Sequence, residues 1–214
     1  MAIFQQTDIP ILQRLFMRLA RTTAVVGLAA YPALAQHALE LPDFSATQMT
    51  PGREAMASKI YRSGNNFRSE PGSNQEIAFI FLPDSGKVLN VILKGTQCIE
   101  MTTAQSHAVR SPVQTLSGAK VDKLEATTET LDGHVCKVES VTVKGEDGKE
   151  TQFKIWQAED KKGAPLKIEI HAGLNTLTTI YKNIVVGTPD PALFKSPVKC
   201  VPFEKTYQIA PASK

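Results

Sequence analysis

Apolar and polar residues alternate with a period of two along most of the chain after residue 53. The alternating segments are rich in Val, Ile, Thr and aromatic residues, which is typical of β-strands. Turn residues such as Asp132-Gly133 separate them, and such short connections make neighbouring strands antiparallel. The predicted strands are residues 54–62, 65–70, 75–82, 87–93, 97–102, 124–131, 134–144, 151–159, 165–171 and 176–186.

One segment interrupts this series. Residues 103–123 lack alternation and include Pro112 and Gly118, so we expect part of them to be helical and to fold over one sheet face. An antiparallel sheet of about ten strands twists and curls. The pattern therefore predicts a mainly β fold, a strongly curved antiparallel sheet or half-barrel with a short helical cover. Its concave apolar face would suit a lipid or an acyl chain.

The N-terminal residues have the pattern of an export signal. Arg14, Arg18 and Arg21 precede an apolar run over residues 22–34, which ends in small residues before Gln36. The run is shorter than the roughly 20 residues that cross a bilayer, so cleavage after Ala35 is favoured over a membrane anchor. We predict a periplasmic protein that has no membrane span once the signal is removed.

Charge excludes one class of partner. The formal net charge is +3, and acidic and basic residues are interspersed without a basic stripe. Nucleic acid is therefore not an expected partner.

Three cysteines, Cys98, Cys136 and Cys200, are present in the exported part. One disulfide and one free thiol are expected in an oxidising compartment, and the sequence leaves all three pairings open. None of the spacings is Cys-x-x-Cys, so neither a redox motif nor a zinc knuckle is indicated.

No arrangement typical of catalysis or metal binding is present in the sequence. There is no Gly-x-Ser-x-Gly nucleophile elbow, and glycines occur singly at turns rather than in a phosphate-binding loop. The four histidines lack metal-ligand spacing; they are His37, His107, His134 and His171. We expect no catalytic residues, no metal site and no cofactor, and place a hydrolase third among the hypotheses.

Apolar residues inside the predicted strands are the candidates for a ligand cavity. Trp156, the single tryptophan, shares a strand face with Lys154 and Ala158, which fits a pocket mouth. The predicted cavity-lining residues are Met56, Ile60, Phe79, Phe81, Ile92, Ile99 and Trp156.

Four segments match known motifs, and their order and spacing are more specific than any one of them. They are the "K-Y-x-x-G-x-x-x-R" hairpin in residues 59–68, the "G-x-x-C" hairpin in 133–136, the "W-x-A…G-x-P-L-K" strands in 155–167, and the "K-N-I…D-P-x-L-F" segment in 182–194. Together these segments resemble the LolA/LolB-type lipoprotein-carrier superfamily.

The resemblance implies a half-barrel with a helical lid and, in the true carriers, an apolar cavity that binds lipoprotein acyl chains. Together with the N-terminal export signal, it divides the chain into a signal peptide (1–35), a LolA-like domain (36–200) and a C-terminal tail (201–214). The leading hypothesis is a non-catalytic periplasmic carrier for a lipid or acyl chain, with a role in outer-membrane lipoprotein handling. The alternative is an envelope structural or stress-sensing module that binds a protein partner.

Overall fold

The computed structural model describes residues 37–72, 76–94, 97–106, 110–117, 120–121, 125–144, 148 and 150–206. All of them belong to one compact unit, Leu34–Lys214. The predicted signal peptide lies outside the described residues, as does His107.

Strands account for most of the described chain, and the helices are short. The strands are β1 His37–Ala38, β2 Phe44–Met49, β3 Ser58–Ser63, β4 Asn66–Pro71, β5 Ile77–Leu82, β6 Lys87–Ile92, β7 Gln97–Thr102, β8 Lys120–Val121, β9 Glu125–Leu131, β10 His134–Lys144, β11 Glu150–Ala158, β12 Ala164–Ala172, β13 Asn175–Val186 and β14 Val201–Pro202. The α-helices are α1 Pro112–Leu116 and α2 Phe203–Thr206, and single 3₁₀ turns occur at Glu54–Met56, Pro83–Ser85, Glu159–Lys161 and Pro191–Phe194.

Two antiparallel meanders form a single curved, unclosed sheet of 12 strands. The first runs from β2 to β7 and the second from β9 to β13, and antiparallel pairing of β2 with β13 joins them. β14 extends the β7 edge in parallel, while β1 and β8 form a separate two-stranded ribbon. The predicted mainly β, curved antiparallel fold with a short helical cover is confirmed, with 12 strands in place of about ten.

Local turn chemistry explains how these strands are connected. Asp132 and Gly133 both adopt positive φ (52° and 83°), the geometry of the tight hairpin that was predicted between β9 and β10. Asn183 also has a positive φ (52°), at a β-bulge where the pairing of β13 with β2 shifts register. Asparagine tolerates this conformation better than most residues, so it suits the bulge.

The two faces of the first meander bury different clusters. The inner face, defined here as the face on which α1 packs, carries the largest core cluster, which includes Phe44, Ile60 and Phe81. The outer face carries a second cluster around Tyr61, covered by the 3₁₀ turn that ends at Phe194. Because both faces of β3 and β5 are covered, their apolar residues are not confined to alternate positions.

Helix α1 is the helical cover expected within residues 103–123. Its Val113 and Leu116 side chains are fully buried in the inner-face cluster. Pro112 at its first turn lacks the N–H that a helix start leaves unpaired, and so suits this position. A helix of this length owes its stability to the packing of these side chains rather than to its own hydrogen bonds.

Three regions differ from the predicted elements. The predicted strand 54–62 begins as a 3₁₀ turn, and the strand itself starts at Ser58. Strand β2 has no counterpart among the predicted strands. The predicted tail begins with folded residues, since Val201 and Pro202 pair with Ile99 and Glu100.

The cysteine pairing is resolved by the structure. Cys98 on β7 forms a disulfide with Cys200, which precedes β14, and Cys136 on β10 is a buried free thiol. The expectation of one disulfide and one free cysteine is confirmed.

Candidate functional site

A groove of about 510 Å³ opens on the inner face beside the start of α1. Strands β2 to β5 and β13, the 3₁₀ turn Glu54–Met56 and the residues before α1 all contribute to it. Its lining is Gln48, Thr50, Arg53, Met56, Ser58, Ser69, Pro71, Phe79, Phe81, Arg110, Ser111 and Leu177.

The apolar part of the groove comes from the alternation of β5. Phe79 and Phe81 are two residues apart, so both side chains leave the strand on the inner face. Phe81 is buried, and its ring centroid lies 6.3 Å from that of Phe67 on β4. Met56 and Leu177 are exposed at 70% and 49%, and contribute apolar surface that solvent reaches.

Polar side chains occupy other parts of the lining. Ser69 lies opposite Phe79 in the β4–β5 ladder, and Ser58 lies opposite Gln48 in the β2–β3 ladder. Ser111 is buried, and its hydroxyl donates to Oε1 of Gln48 at 2.5 Å. This bond ties the residue preceding α1 to the sheet directly beside the groove.

A buried arginine holds the other end of α1. Nε of Arg62 donates to the Ser117 hydroxyl at 3.2 Å, and its Nη1 donates to the carbonyls of Leu41 and Pro42 at 2.6 and 2.9 Å. Burial lowers the pKa of Arg62, with a smaller opposing effect from Asp43, whose Oδ1 lies 3.6 Å from Nη1. The lid formed by α1 is therefore attached to the sheet at both ends.

Beneath the lid, the Tyr181 phenol is deeply buried on β13. Burial raises its pKa well above the usual range. The phenol is therefore neutral at physiological pH and adds no negative charge to the inner face.

Five of the predicted cavity residues lie on the inner face of the first meander. Ile60, Phe79 and Ile99 lie in one cross-strand row, together with Ser69 and Asn90. Phe81 and Ile92 follow this row on their own strands at a spacing of two. Of these five, Phe79 and Phe81 line the groove, whereas Ile60 is fully buried in the core.

The remaining two predicted residues lie elsewhere. Met56 lines the groove from the 3₁₀ turn. Trp156 belongs to a separate buried cluster with Cys136, Val138, Ala158 and Leu166 and is not among the groove-lining residues.

Charged neighbours account for the burial of Trp156. Lys154 and Lys167 place their ammonium groups 4.6 and 3.5 Å from the ring centroid, and its Nε1 donates to Oε2 of Glu129 at 2.8 Å. These contacts cover an outer-face aromatic residue with charge. A period-two pattern assigns a residue to a face and does not indicate which face carries the lid.

Sequence reasoning missed most polar residues of the groove. Gln48 lies on β2, which was not predicted, and Arg110 lies in the segment without alternation. Arg53 lies just before the predicted strand 54–62, and Ser58 lies within that segment, which begins as a 3₁₀ turn in the structure. No pattern in the sequence connects these positions, since the fold alone brings them together.

A cysteine, a histidine and an aspartate come near each other at the β9–β10 hairpin. Nδ1 of His134 lies 2.9 Å from both carboxylate oxygens of Asp160. The Cys136 thiol instead points at the backbone carbonyl of His134 (3.6 Å), and burial raises its pKa. A buried thiol with a raised pKa is a poor nucleophile, so this arrangement does not resemble a catalytic dyad.

The described residues offer neither a cluster of metal ligands nor a membrane-spanning helix. Within them, no group of three or more His, Cys, Asp or Glu side chains could hold a metal ion. None of the helices in the same ranges has the length and apolarity needed to cross a bilayer.

No protein-family model matches the chain, and no curated protein matches it. Several solved structures do. A chain in the Pseudomonas aeruginosa MucA/MucB complex is 16% identical with a TM-score of 0.42, over 72% of this chain and 55% of that one. Lipoprotein LppX from Mycobacterium tuberculosis is 15% identical with a TM-score of 0.37, over 69% and 88%.

A LolA superfamily protein from Nitrosomonas europaea is 11% identical with a TM-score of 0.33, over 72% of this chain and 89% of that one. The present chain thus spans little more than half of the matched chain in the MucA/MucB structure. The solved structures similar to this chain include a member of the superfamily whose motifs its sequence resembles.

Proposed function

We propose that this protein is a non-catalytic carrier that binds an apolar ligand, a lipid or an acyl chain, in the groove beside α1. The observation that carries the proposal is the groove itself. It has the size of a small-molecule site, roughly 300–1,000 Å³, and Phe79 and Phe81 give it an apolar wall. Burial of a ligand's apolar surface there would contribute about 25 cal/mol per Å².

The way in which helix α1, the lid, is attached to the sheet supports binding and release of a ligand. Helix α1 is little more than one turn long, and its two ends are joined to the sheet through Ser111 and Ser117. Displacing this segment would expose Val113 and Leu116 and break these few hydrogen bonds, which costs less than opening the sheet with its ladders of hydrogen bonds. A ligand could enter the groove by a local movement of this segment.

The predicted export signal supports a periplasmic location for this carrier. A protein that moves acyl chains through an aqueous compartment must shield them from water. Handling of outer-membrane lipoproteins is one such role and is part of the proposal.

A second candidate function is binding of a protein partner as an envelope module. Leu174, in the turn between β12 and β13, is fully exposed, and Leu177, three residues further on, is 49% exposed. Exposed apolar residues that lie this close together favour a contact surface. Filling the groove should abolish ligand uptake by a carrier, whereas a partner-binding module does not depend on the groove. This difference provides the test.

The experiment measures uptake of the neutral fluorescent probe N-phenylnaphthylamine by wild type and by a groove-filling variant. Ser69→Trp places a large side chain beside Phe79, and we expect it to abolish most of the uptake. Thr127→Trp on exposed strand β9 is the matched control and should bind like wild type.

Circular dichroism and urea unfolding establish that both variants are folded. If Ser69→Trp cannot fold, Leu177→Asp tests the same groove from its exposed wall. Wild-type protein that takes up neither the probe nor a fatty acid would contradict the carrier function, as would equal uptake by the folded groove variant.

A further inference from the structure

We propose that the ligand is an amphiphile with a single acyl chain and an anionic headgroup, and that Arg53 and Arg110 bind its acid oxygens. This inference rests on the proposed carrier function and names the class of ligand. The shared chemistry is a carboxylate or phosphate attached to one chain.

The charge of the groove lining favours an anionic ligand. The lining includes the two arginines and no aspartate or glutamate. Because Tyr181 beneath the lid stays neutral, it does not offset this charge. An anionic group entering the groove therefore meets only positive formal charge on its walls.

The four arginines of the described residues fall into two groups. Arg62 and Arg68 are buried, and their guanidinium groups bind backbone carbonyls and carboxylates. Arg53 and Arg110 are exposed, and neither guanidinium group has a hydrogen-bond or ion-pair partner within the described ranges. Their donors are therefore available to a ligand.

Both arginines lie in connections whose residues line the same groove as the apolar wall. Arg53 precedes the 3₁₀ turn after β2, and Arg110 precedes the lid next to Ser111. Phe79 and Phe81 provide the apolar wall from β5. A guanidinium group presents a planar pair of N–H donors that matches carboxylate and phosphate oxygens.

The size of the groove suits a small amphiphile. Its volume of about 510 Å³ lies within the roughly 300–1,000 Å³ of sites that bury small ligands. An amphiphile with one acyl chain, such as lauric acid, is a molecule of that size class, and the inference is therefore restricted to single-chain ligands.

The test compares ligands that share a chain and differ in headgroup. Delipidated protein is loaded with N-phenylnaphthylamine, which is then displaced by lauric acid, lauroyl lysophosphatidic acid or dodecanol. We expect both acids to compete more strongly than dodecanol, and their ranking distinguishes a fatty acid from a phospholipid source. Exposed ion pairs are weak and are screened by salt. The acids should therefore bind about tenfold more tightly than dodecanol, and this preference should decrease with added salt.

Variants assign the preference to the two arginines. Arg53→Gln and Arg110→Gln should each weaken binding of the acids about threefold, and together remove most of the preference, without changing dodecanol affinity. The Lys199→Gln/Lys205→Gln double variant removes two exposed charges that do not line the groove, and should retain the preference.

The outcomes separate this inference from the proposed function. Equal competition by the acids and dodecanol would overturn the anionic ligand and leave the carrier function standing. A preference that survives in the Arg53→Gln/Arg110→Gln variant would also overturn the assignment. Failure of all three compounds and of the probe to bind would contradict the carrier function itself.

Discussion

Arg68 and Glu70 form a buried ion pair on strand β4, with Nε and Nη2 of Arg68 each 2.7 Å from Oε1 of Glu70. Each side chain is only 7% exposed. Nη1 of Arg68 also donates to the Leu193 carbonyl at 2.7 Å, which attaches the 3₁₀ turn Pro191–Phe194 to the outer face. Arg68 is the last residue of the 59–68 hairpin motif that resembles the carrier superfamily. The ion pair and the bond to Leu193 give this motif position a structural explanation.

Removal of the arginine alone should be far more costly than removal of the pair. Arg68→Ala leaves the Glu70 carboxylate buried without a counter-ion, and we expect it to reduce the free energy of unfolding by about 3–5 kcal/mol. The Arg68→Met/Glu70→Met double variant should cost less, because it leaves no buried charge. Urea unfolding measures both values, and equal costs would show that the two charges are not coupled.

The fold was predictable because its signals are local. Alternation and turn residues predicted β7 and β10 with their observed bounds, and Asp132-Gly133 predicted the hairpin before β10. Strand β2 was missed because its sequence, FSATQM, has only two strongly apolar residues at its ends. It is stabilised by neighbours on both sides, β3 and β13, and the latter is more than a hundred residues away in sequence.

The groove was less predictable than the fold. Phe79 and Phe81 were identified because they are apolar residues of a strand, a property that Ile60 and Trp156 share. Whether such a residue lines a groove, fills the core or packs on the other face depends on where the lid lies. Arg53 and Arg110 had no local signal, since each lies in a connection and only the fold brings both into the lining of one groove.

Arg62 should control how firmly the lid is attached. We expect Arg62→Gln to lower the free energy of unfolding by about 3 kcal/mol, because the carbonyls of Leu41 and Pro42 lose a charged donor in a buried site. Hydrogen exchange should also accelerate in residues 110–117, since the Ser117 contact is lost.

Arg53→Gln is the matched control for this variant. Its guanidinium is exposed and unpaired within the described residues, so its stability should stay within about 0.5 kcal/mol of wild type. Unchanged exchange of residues 110–117 in folded Arg62→Gln would contradict the role of Arg62 in holding the lid.

The disulfide between Cys98 and Cys200 should stabilise the fold substantially. It closes a loop with a sequence separation of 102, and disulfides typically contribute about 2–4 kcal/mol by restricting the unfolded chain. The Cys98→Ala/Cys200→Ala variant should lose stability in that range. Thiol titration of wild type should count one thiol after unfolding without reductant and three after reduction, and any other count contradicts the pairing.

Acidification should be visible through Trp156, the single tryptophan of the chain. Its hydrogen bond to Glu129 and the nearby Lys154 ammonium lower the pKa of that carboxyl below its ordinary value. A carboxylate with a lowered pKa contributes stability above the ordinary value and loses it as pH falls through the folded-state pKa. Tryptophan fluorescence should therefore stay constant down to about pH 4.3, the ordinary glutamate value, and change only below it.

Two variants decide whether Glu129 is the group that titrates. Glu129→Gln should abolish the fluorescence transition, because its side chain carries no titratable proton. Glu204 also has a lowered pKa, owing to a hydrogen bond from Gln105, but it does not contact Trp156. Glu204→Gln should consequently retain the transition, whereas a transition that persists in folded Glu129→Gln would assign the signal to another group.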